Sequence, residues 1–595
     1  MIKQRVNNLR ELMKSNNVQA YLVPSTDAHQ SEYLPELWER RKWLSGFTGS
    51  AGDLAITAGK AGLWTDSRYF LQAEEELIGS GIELFKMGMP GVPAMQEWLK
   101  DVLKPGDSVG IDPRLISHSE AQQLRSYLLN WKIQLKSIEV NLVDELWKDR
   151  PDFPLEPVKP HPVEFSGESV ESKLRRLREK MAGEGSSVHV LTMLDAIAWL
   201  YNIRGTDVEF NPVVISYAIV TSHAAMLFVK KEKVTDELRK HLDGLVEIYD
   251  YPEFREQLIK VSQSETKVWL DGGTVSQWIV DLIQNNCEII YNQSPVTLFK
   301  AIKNETEIAG FRAAHERDGI PMVKFLYWLD NAVPSGGVTE LSAAAKLEEF
   351  RSGGKYYQGP SFETISGYGE HGAIVHYSTS PETDVELKPE GIYLIDSGGQ
   401  YLDGTTDITR TAALGKPTAE QKDRFTRVLK GHIRLAQTRF PRGTAGNQLD
   451  TIARKPLWDI GLNYGHGTGH GIGSYLNVHE GPHAISYYRG IGVALEPGMI
   501  ISNEPGYYKA GEYGMRIENI ILAVKDGSTS GGEIEFYKFE TATLCPIDLN
   551  LVEKSLLSAE EVVFLNDYHQ RVRKMLSPGL TAEERAWLEN ATRSI

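Results

Sequence analysis

Two aspartates flank a turn-like segment in the last half of the chain, and both could bind a metal ion. Asp396 directly follows an apolar segment, and Asp407 lies within a segment, residues 405–411, that reads as a return strand. In an antiparallel hairpin, opposite side chains share a face. A turn at Asp403-Gly404 places both aspartates on one face, one strand repeat apart. A loop centred on Tyr401-Leu402 places them directly opposite each other, and a slip of one residue would separate them.

Two glutamates form a similar pair further along the chain. Glu504 and Glu518 each interrupt an apolar, strand-like segment, and Gly511 is the midpoint between them. A hairpin that turns at Gly511 therefore places the two side chains opposite each other. Burial of unpaired carboxylates is very unfavourable, so these glutamates need either solvent or a partner.

The two acidic pairs could form one metal site if they share one pocket. Four carboxylates carry four negative charges, and like charges at close range cannot all stay ionised without compensation. Two divalent cations would balance the cluster. Either pair alone indicates only solvent-facing acids near glycine turns, which are common. Oxygen-rich ligation with one imidazole and no thiolate suits manganese, cobalt or zinc, and does not suit a structural zinc site.

The imidazole candidates lie in a glycine-rich segment, residues 465–473. Glycine at every second position makes a helix unfavourable and lets the backbone come close to other groups. His466 and His470 share a face if the segment is extended. No His-Glu-x-x-His sequence is present here, so the helical single-zinc protease motif is absent. His376 and His479 are two further histidines to which spacing alone assigns no role.

Prolines mark one domain boundary, and a change of pattern marks another. Prolines are dense between Arg150 and Val163, and they favour an extended, semi-rigid linker. Near Lys303, the strand-like Glu288-Ile289-Ile290-Tyr291 gives way to a charged helix over 305–317. We therefore expect three regions: 1–150, 151–303 (with the linker at 151–163) and 304–595.

The first two regions read as one α/β module used twice. One opens with the strand-like Ala20-Tyr21-Leu22-Val23 and the other with Val188-His189-Val190-Leu191. Each then reaches a Trp-Leu pair and a glycine, and later returns to strands. Strands that alternate with helices favour an α/β fold. The alternative is that two unrelated α/β segments share these features.

Two capped helices end the chain. Ser558-x-x-Glu561 and Thr581-x-x-Glu584 are capping boxes, and Pro578-Gly579 separates the two helices. The first helix carries an apolar stripe at helical spacing, which we expect to cover the core rather than meet a second subunit. The stripe consists of Leu565, Tyr568, Val572 and Met575.

Composition excludes several classes of protein. The net charge of −16, without a strong basic patch, would repel a nucleic-acid backbone. No apolar segment reaches the roughly 18 residues that a membrane span needs. The charged start is not followed by the apolar stretch of a signal peptide. Two distant cysteines, Cys287 and Cys545, imply no disulfide framework. We therefore expect a cytoplasmic protein that binds neither nucleic acid nor membrane.

Five motifs together resemble the pita-bread metallopeptidases, and they are most similar to the three-domain cytosolic type of Xaa-Pro aminopeptidase. The resemblance extends over essentially the whole chain. Any one of the motifs alone would be weak, whereas the set in this order is highly specific. The motifs are Asp396-Ser397-Gly398-Gly399, Asp407-Ile408-Thr409-Arg410-Thr411, His466-Gly467-Thr468-Gly469-His470-Gly471, Asn503-Glu504-Pro505-Gly506 and Arg516-Ile517-Glu518-Asn519.

This resemblance implies two creatinase-like α/β modules followed by a C-terminal pita-bread catalytic domain, and a homodimer. It also implies two divalent metal ions, expected to be Mn²⁺, with cobalt or zinc as alternatives. Asp396 and Asp407 would chelate one metal, His470 and Glu504 would bind the other, and Asp407 and Glu518 would bridge the two. The substrates would be peptides that begin with Xaa-Pro.

The implied mechanism attacks the scissile carbonyl with a hydroxide that bridges the two metals. Glu504 would act as general base or acid. His376 and His479 would donate hydrogen bonds to the substrate carbonyl and the oxyanion. His466 would hold the peptide, and Arg516 would orient the carboxylates at the substrate-binding site. The residues of the proline pocket are not identified.

Other functions remain open on the sequence. A prolidase that cuts only Xaa-Pro dipeptides is the nearest alternative, although two N-terminal modules argue against it. A methionine aminopeptidase needs no such N-terminal half, and a metal-free creatinase would not need all five ligands. A non-catalytic pita-bread protein that binds peptides or histones should have lost some of these ligands.

Overall fold

The protein is described by a computed structural model that covers residues 1–263, 266–527 and 533–595. These residues form two compact units. The N-terminal unit contains residues 1–163 and 168–297, and the C-terminal unit contains residues 164–167 and 298–595. Among the described residues, none of the helices combines the length and the apolar character that a bilayer crossing requires.

The first sheet of the N-terminal unit is built around β1. Within the described residues it has six strands in the order β4-β3-β2-β1-β5-β6. Its central strand pairs antiparallel with β2 and parallel with β5. The strands are β1 (Ala20–Val23), β2 (Asp53–Thr57), β3 (Ala61–Thr65), β4 (Glu83–Lys86), β5 (Ser108–Ile111) and β6 (Gln134–Ser137).

The second sheet of this unit repeats the first. Its six described strands run in the order β12-β11-β10-β8-β13-β14, and β8 is antiparallel to β10 and parallel to β13. The same pattern at equivalent positions supports the predicted repeat. The strands of this part are β7 (Lys159–Pro160), β8 (Val188–Leu191), β9 (Ile203–Arg204), β10 (Tyr217–Thr221), β11 (Ala225–Phe228), β12 (Glu247–Tyr249), β13 (Lys267–Leu270) and β14 (Glu288–Tyr291).

Helices connect these strands, and both Trp-Leu pairs lie at equivalent places, in α2 and α9; α7 and α13 lie where the chain passes between the two units. The helices are α1 (Ile2–Ser15), α2 (Arg40–Ser45), α3 (Phe70–Glu76), α4 (Met95–Val102), α5 (His118–Leu129), α6 (Leu142–Leu146), α7 (Val163–Ser166), α8 (Val170–Gly183), α9 (Leu194–Leu200), α10 (Asp236–Leu242), α11 (Phe254–Val261), α12 (Gln277–Ile283) and α13 (Pro295–Ala301).

The proline-rich segment has no regular secondary structure over 151–158, but it is not a solvated linker along its whole length. Val158 and His161 are each 1% exposed. The amide of Val158 donates to the carbonyl of Lys233 at 3.0 Å, and β7 pairs with β9. Proline lacks one donor, but the residues between the prolines keep theirs, which allows this segment to join the fold.

The C-terminal unit is mainly antiparallel. Its described strands form sheets in the orders β15-β18-β19, β16-β17-β20, β21-β28-β27-β24-β22-β23 and β25-β26. The strands are β15 (Tyr357–Pro360), β16 (Ile365–Tyr368), β17 (Ile392–Ser397), β18 (Gly399–Tyr401), β19 (Gly404–Thr405), β20 (Ile408–Ala413), β21 (Arg439–Pro441), β22 (Gly469–Gly471), β23 (Glu480–Ile485), β24 (Ile500–Asn503), β25 (Gly506–Lys509), β26 (Tyr513–Arg516), β27 (Asn519–Lys525) and β28 (Phe536–Thr541).

Long helices cover these sheets. The predicted helix after Lys303 begins at Glu305, where Asn304 caps it by accepting from the amide of Glu307 at 3.0 Å. Both predicted C-terminal capping boxes are present. The helices are α14 (Glu305–Ala332), α15 (Glu340–Ser352), α16 (Ala419–Ala436), α17 (Gly446–Trp458), α18 (Ala559–Leu576) and α19 (Ala582–Ala591).

The apolar stripe of α18 covers the core, as predicted, at three of its four positions. Leu565, Tyr568 and Val572 are buried in one hydrophobic cluster that also contains residues of α16. Met575 is 36% exposed and lies outside this cluster. The C-terminal helices therefore form part of the packing of the C-terminal unit.

Candidate metal centre

The aspartate hairpin differs from both predicted registers. Asp396 of β17 pairs with Thr409 of β20, and Tyr401 pairs with Gly404, so the turn falls between the two registers that we predicted. Asp407 precedes Thr409 by two residues and therefore lies diagonal to Asp396. A packing contact explains this turn, because a Cβ at Gly310 of α14 would lie 2.4 Å from the carbonyl oxygen of Asp403.

The glutamate hairpin has the predicted register. In β24 and β27, Asn503 pairs with Asn519, and in β25 and β26, Gly506 pairs with Arg516. Gly511 lies at the turn with φ of +71°, a conformation that favours glycine. Glu504 and Glu518 occupy the gap between these two ladders and are brought opposite each other.

The glycine-rich segment is extended at His470, which lies in β22. A Cβ at Gly469 would lie 1.9 Å from the carbonyl oxygen of Ser502, and a Cβ at Gly471 would lie 2.2 Å from that of Glu480. No side chain fits in either space. The two glycines therefore allow the backbone at His470 to press against its neighbouring strands.

The imidazole of His470 meets carboxylates from both hairpins. Its Nε2 lies 3.4 Å from Oδ2 of Asp407 and 3.4 Å from Oε1 of Glu504. Asp407, His470 and Glu518 each offer one ligand atom, and these atoms lie within 4.8 Å of one another. Two hairpins and one glycine-lined strand thus bring the predicted ligands to one place.

Arg516 compensates only part of the charge of this cluster. Its Nη2 donates to Oδ2 of Asp396 at 2.5 Å. Burial nevertheless raises the pKa of Asp396 to about 7. The negative charge of Asp407 raises this pKa further, and the positive charge of Arg516 offsets only part of the increase. Burial and the charges of Asp407 and Asp396 also raise the pKa of Glu518 well above its ordinary value. The negative charge of the carboxylates therefore exceeds the positive charge that Arg516 supplies.

The donor set fits divalent metal ions. His470 Nδ1 lies 2.9 Å from the carbonyl oxygen of Gly471 and must donate to it. In the neutral ring, Nε2 therefore directs a lone pair at two carboxylates, a repulsion that a bound cation would convert into coordination. Asp396 Oδ1 is buried without a hydrogen-bond partner in the part of the chain that the structure describes. Nitrogen and oxygen donors of this kind suit manganese, cobalt or zinc.

The electrostatics of His470 support the same conclusion. Burial lowers the pKa of His470, but its hydrogen bond with Asp407 and the charge of Glu504 raise that pKa to about 9. Without a metal, the anionic pocket thus draws a proton to the ring. The pocket is therefore suited to hold a cation at this position.

Thr409 was not singled out from the sequence, although it connects the two hairpins. Its Oγ1 donates to Oε2 of Glu518 at 2.7 Å and accepts from Nε of Arg516 at 3.0 Å. Because Thr409 is the strand partner of Asp396, a correct register would have placed it beside the carboxylates.

Tyr508 is a second residue that sequence reasoning missed. Its hydroxyl accepts from Nη1 of Arg516 at 2.6 Å and lies 2.9 Å from Nε2 of His466. Since Nδ1 of His466 lies 2.7 Å from the carbonyl oxygen of Gly467 and must donate to it, the hydroxyl donates to Nε2. Strand alternation from Glu504 could have identified Tyr508, because every second residue of this hairpin faces the same side.

Two of the remaining predicted histidines, His466 and His479, contact members of the cluster. His466 Nδ1 is 3.9 Å from Oε2 of Glu504. The ring of His479 is 4.3 Å from the ring of His470, centroid to centroid, at 76°. His376 is half-buried in the loop that follows β16.

Buried carboxylates hold the loops that carry these histidines. Next to His376, the hydroxyl of Tyr377 donates to Oε2 of Glu340 at 3.1 Å. Arg454 of α17 donates to the carbonyl oxygen of His466 at 2.5 Å and pairs with Asp450 at 2.5 Å. Neither support could be predicted from local patterns, because the partners lie in separate helices, α15 and α17.

Sequence profiles of known families match successive parts of the chain. The profile described as the Creatinase/Prolidase N-terminal domain matches residues 5–144 and, in a second version, residues 149–307. Metallopeptidase family M24 matches residues 309–525, and the C-terminal region of peptidase_M24 matches residues 535–595. The fold and the site therefore define a metallopeptidase in which creatinase-type modules precede a pita-bread domain along the chain, as the sequence predicted.

Similarity to individual proteins narrows this class. Aminopeptidase P2 of Arabidopsis thaliana is 42% identical, over 100% of this chain and 89% of its own length. The probable Xaa-Pro aminopeptidase P of Laccaria bicolor is 44% identical, over 98% of this chain and 92% of its own. The chain therefore belongs to the aminopeptidase P (Xaa-Pro aminopeptidase) family of metallopeptidases.

A solved structure agrees over the full length. The X-prolyl aminopeptidase of Caenorhabditis elegans, described as a cytosolic enzyme with a di-nuclear active site, has a TM-score of 0.96 and 38% identity. Each chain covers 100% of the other. A Xaa-Pro dipeptidase from Bacillus anthracis, at 24% identity and a TM-score of 0.50, covers 64% of this chain and shows the shared fold alone.

Proposed function

We propose that this protein is a metal-dependent aminopeptidase that hydrolyses the bond between an N-terminal residue and a penultimate proline. The observation that carries the proposal is the convergence of Asp407, His470 and Glu518 within 4.8 Å, beside Asp396 and Glu504. The family membership supports the same activity. The full-length relatives carry aminopeptidase names, which favours this activity over that of a prolidase.

Two divalent ions occupy the centre in this proposal, with Mn²⁺ as the expected metal. Asp396 and Asp407 would hold one ion, His470 and Glu504 would hold the other, and Asp407 and Glu518 would serve both. The unpartnered Oδ1 of Asp396 supports a ligand role for that carboxylate. When bound, the ions supply Lewis acidity at the scissile carbonyl and lower the pKa of water to about 7.

Glu504 moves the proton. Its side chain is 18% exposed, compared with 10% for Asp396 and 5% for Asp407. Of these three carboxylates, Glu504 is thus the most accessible to water and to the leaving amine. Its position between His470 and His466, at 3.4 and 3.9 Å, also keeps its two oxygens directed into the site.

The histidines bind and orient the peptide. His376 and His479 donate hydrogen bonds to the substrate carbonyl and to the oxyanion that develops from it. His466 holds the peptide with a ring that Tyr508 and the carbonyl of Gly467 fix in one orientation. Arg516 keeps Asp396 in place and contributes to substrate binding.

Proline explains why such an enzyme is needed. The nitrogen of an Xaa-Pro bond has no hydrogen to donate, and the ring restricts the preceding residue. A peptidase that recognises the amide N–H would fail on this bond. The proposed centre acts on the carbonyl group of the scissile bond, and proline leaves that group intact.

We also propose how the chain is divided into domains. We propose creatinase-like modules at 1–150 and 151–303, with a linker at 151–163, and a catalytic domain at 304–595. The sheet pattern of the N-terminal unit, which occurs twice, supports the two modules. We also propose a cytoplasmic homodimer, in line with the cytosolic description of the C. elegans relative.

Metal removal tests the proposed activity directly. Treatment with a chelator should abolish release of the first residue from an Xaa-Pro-Xaa peptide, and added Mn²⁺ should restore it. Activity that persists without metal would contradict the scheme. A matched Xaa-Pro dipeptide should be cleaved much more slowly than the longer peptide, and preference for the dipeptide would favour a prolidase.

Metal analysis separates the enzyme from a non-catalytic peptide binder. The purified protein should bind about two divalent ions per chain, because the charge of the four carboxylates requires them. A protein that takes up no divalent metal, yet binds Xaa-Pro peptides, would be the binder.

A further inference from the structure

Two buried asparagines adjoin the two glutamates of the site. Asn503 directly precedes Glu504, and Asn519 directly follows Glu518. The asparagines are strand partners in β24 and β27, and they are 0% and 2% exposed. Whatever fixes this pair of asparagines therefore also fixes the strand ends from which both glutamates project.

One histidine of α16 contacts both asparagines. His432 is 1% exposed, and its Nδ1 lies 3.0 Å from the carbonyl oxygen of Asn503. Its Nε2 lies 3.1 Å from Nδ2 of Asn519. In return, Nδ2 of Asn503 donates to the carbonyl oxygen of His432 at 2.9 Å. Three hydrogen bonds thus connect this helix residue to the paired strands.

The directions of these hydrogen bonds follow from Arg410. Its guanidinium can only donate, and Nη2 donates to Oδ1 of Asn519 at 2.8 Å. The amide nitrogen of Asn519 must then face His432, so Nε2 of His432 accepts. The proton of the neutral ring lies on Nδ1, which donates to the carbonyl of Asn503. This tautomer and orientation satisfy Asn503 and Asn519 at the same time.

The helix that carries His432 is itself fixed. A Cβ at the preceding Gly431 would lie 2.1 Å from the carbonyl oxygen of Ala453, so α16 and α17 cross in direct backbone contact. Arg410 extends the support on the other side, because its Nη1 donates to the carbonyl oxygen of Glu518 at 2.6 Å. His432 therefore connects a rigid helix crossing to the strand ends at the metal centre.

We propose that His432 is a positioning residue that sets the separation of Glu504 and Glu518 by holding Asn503 and Asn519. This inference rests on the proposed function, because it takes both glutamates as metal ligands. A functional constellation must be held within about 0.5 Å by supporting contacts, and His432 holds both glutamate strands at once. It touches neither the metals nor the substrate.

Three substitutions separate the two contacts of the ring. His432→Leu removes both, His432→Asn keeps a donor near the position of Nδ1, and His432→Gln keeps an acceptor near the position of Nε2. The affinity for Mn²⁺ is measured by calorimetry and by competition with a chelator. We expect His432→Leu to lower the affinity by about 10- to 100-fold, as loss of a residue behind the ligands does. The Asn and Gln variants should fall between this value and the parent.

His189 provides a control for the general effect of losing a buried histidine. It is 0% exposed, and its ring nitrogens lie 3.0 Å from the carbonyl oxygen of Trp269 and 2.9 Å from Oγ of Ser294. All these residues belong to the N-terminal unit. His189→Leu should lower the melting temperature but leave the Mn²⁺ affinity unchanged.

The outcomes distinguish the inference from the function on which it rests. A folded His432→Leu protein with the affinity of the parent would overturn the positioning role. If that variant does not fold, parent affinity in both the Asn and Gln variants would overturn it equally. Glu518→Gln is measured alongside, and if it also binds Mn²⁺ like the parent, the ligand assignment itself fails.

Discussion

Two of the buried aspartate–arginine pairs in the described part of the C-terminal unit behave in opposite ways. In the structural pair, Arg351 binds Asp318 through two hydrogen bonds of 2.8 and 3.0 Å, and Tyr401 donates a third at 2.7 Å. Although burial alone would raise it, the pKa of Asp318 is lowered by Arg351. In the site pair, formed by Asp396 and Arg516, the pKa of Asp396 is raised to about 7.

Shared charge explains the difference between the pairs. Arg351 serves one carboxylate, whereas Arg516 lies in the field of Asp396, Glu504 and Glu518. Burial of an ion pair is tolerated when its charges and hydrogen-bonding groups are matched. The structural pair meets this condition, and the site pair does not. An unmatched buried anion therefore indicates where the protein relies on an external cation.

The largest expected effect comes from removing the charge of the site pair. Asp396→Asn should lower kcat by about 1000-fold, since a metal centre contributes several kcal/mol of transition-state stabilisation. The fold should remain, because the substitution relieves like-charge repulsion. Peptide turnover and Mn²⁺ stoichiometry measure the effect. Turnover within tenfold of the parent would show that Asp396 is not a ligand.

The same substitution in the structural pair should have the opposite consequence. Asp318→Asn leaves the buried charge of Arg351 unmatched, which costs about 3–5 kcal/mol of stability. The kcat of the folded fraction should stay close to that of the parent. Chemical unfolding and active-site titration measure both quantities. Loss of kcat without loss of stability would remove the distinction between the two pairs.

The pH dependence of stability sharpens the comparison. In the metal-free protein, the raised pKa of Asp396 means that the folded state binds this proton more tightly than the unfolded state between pH 3.8 and about 7. Stability should therefore fall as pH rises through this window, by up to about 1.4 kcal/mol per pH unit. Asp318, whose pKa is lowered, changes stability with pH in the opposite direction. Its contribution to stability is lost as pH falls below the ordinary carboxyl range.

Comparing the parent with Asp396→Asn separates the contribution of Asp396 to the pH dependence of stability from the contribution of the buried histidines. Those histidines, such as His432 with a pKa lowered by burial to about 3, make stability rise with pH in both proteins. The difference in unfolding midpoint between metal-free parent and variant should grow steadily from pH 4 to 7. A difference that does not change with pH would contradict the raised pKa.

The two hairpins also show what a sequence can predict. The register of the glutamate hairpin follows from local residues, because Gly511 lies midway between Glu504 and Glu518 and takes the turn. The aspartate hairpin offered two turns and adopted neither, since helix α14 packs on Asp403 through Gly310. Distance along the chain hides such contacts, so local patterns cannot select the register.

The same limit applies to the residues behind the ligands. The five ligand candidates could be identified because their motifs are distinctive and their charges demand compensation. Thr409, Tyr508 and His432 are common residue types in ordinary elements. Their roles depend on partners from other hairpins and helices, which become visible only when the fold brings them together.

The smallest predicted effect tests the connection between the site pair and the second hairpin. Thr409 accepts from Arg516 and donates to Glu518, so Thr409→Val removes both hydrogen bonds at nearly constant volume. Because the ligands themselves remain, we expect Mn²⁺ affinity and kcat to fall by about 10-fold, the lower end of the effect of supporting residues. Thr409→Ser keeps the hydroxyl and should behave like the parent. Equal losses in both variants would show that the effect does not follow the hydroxyl, and would assign it to packing rather than to the two hydrogen bonds.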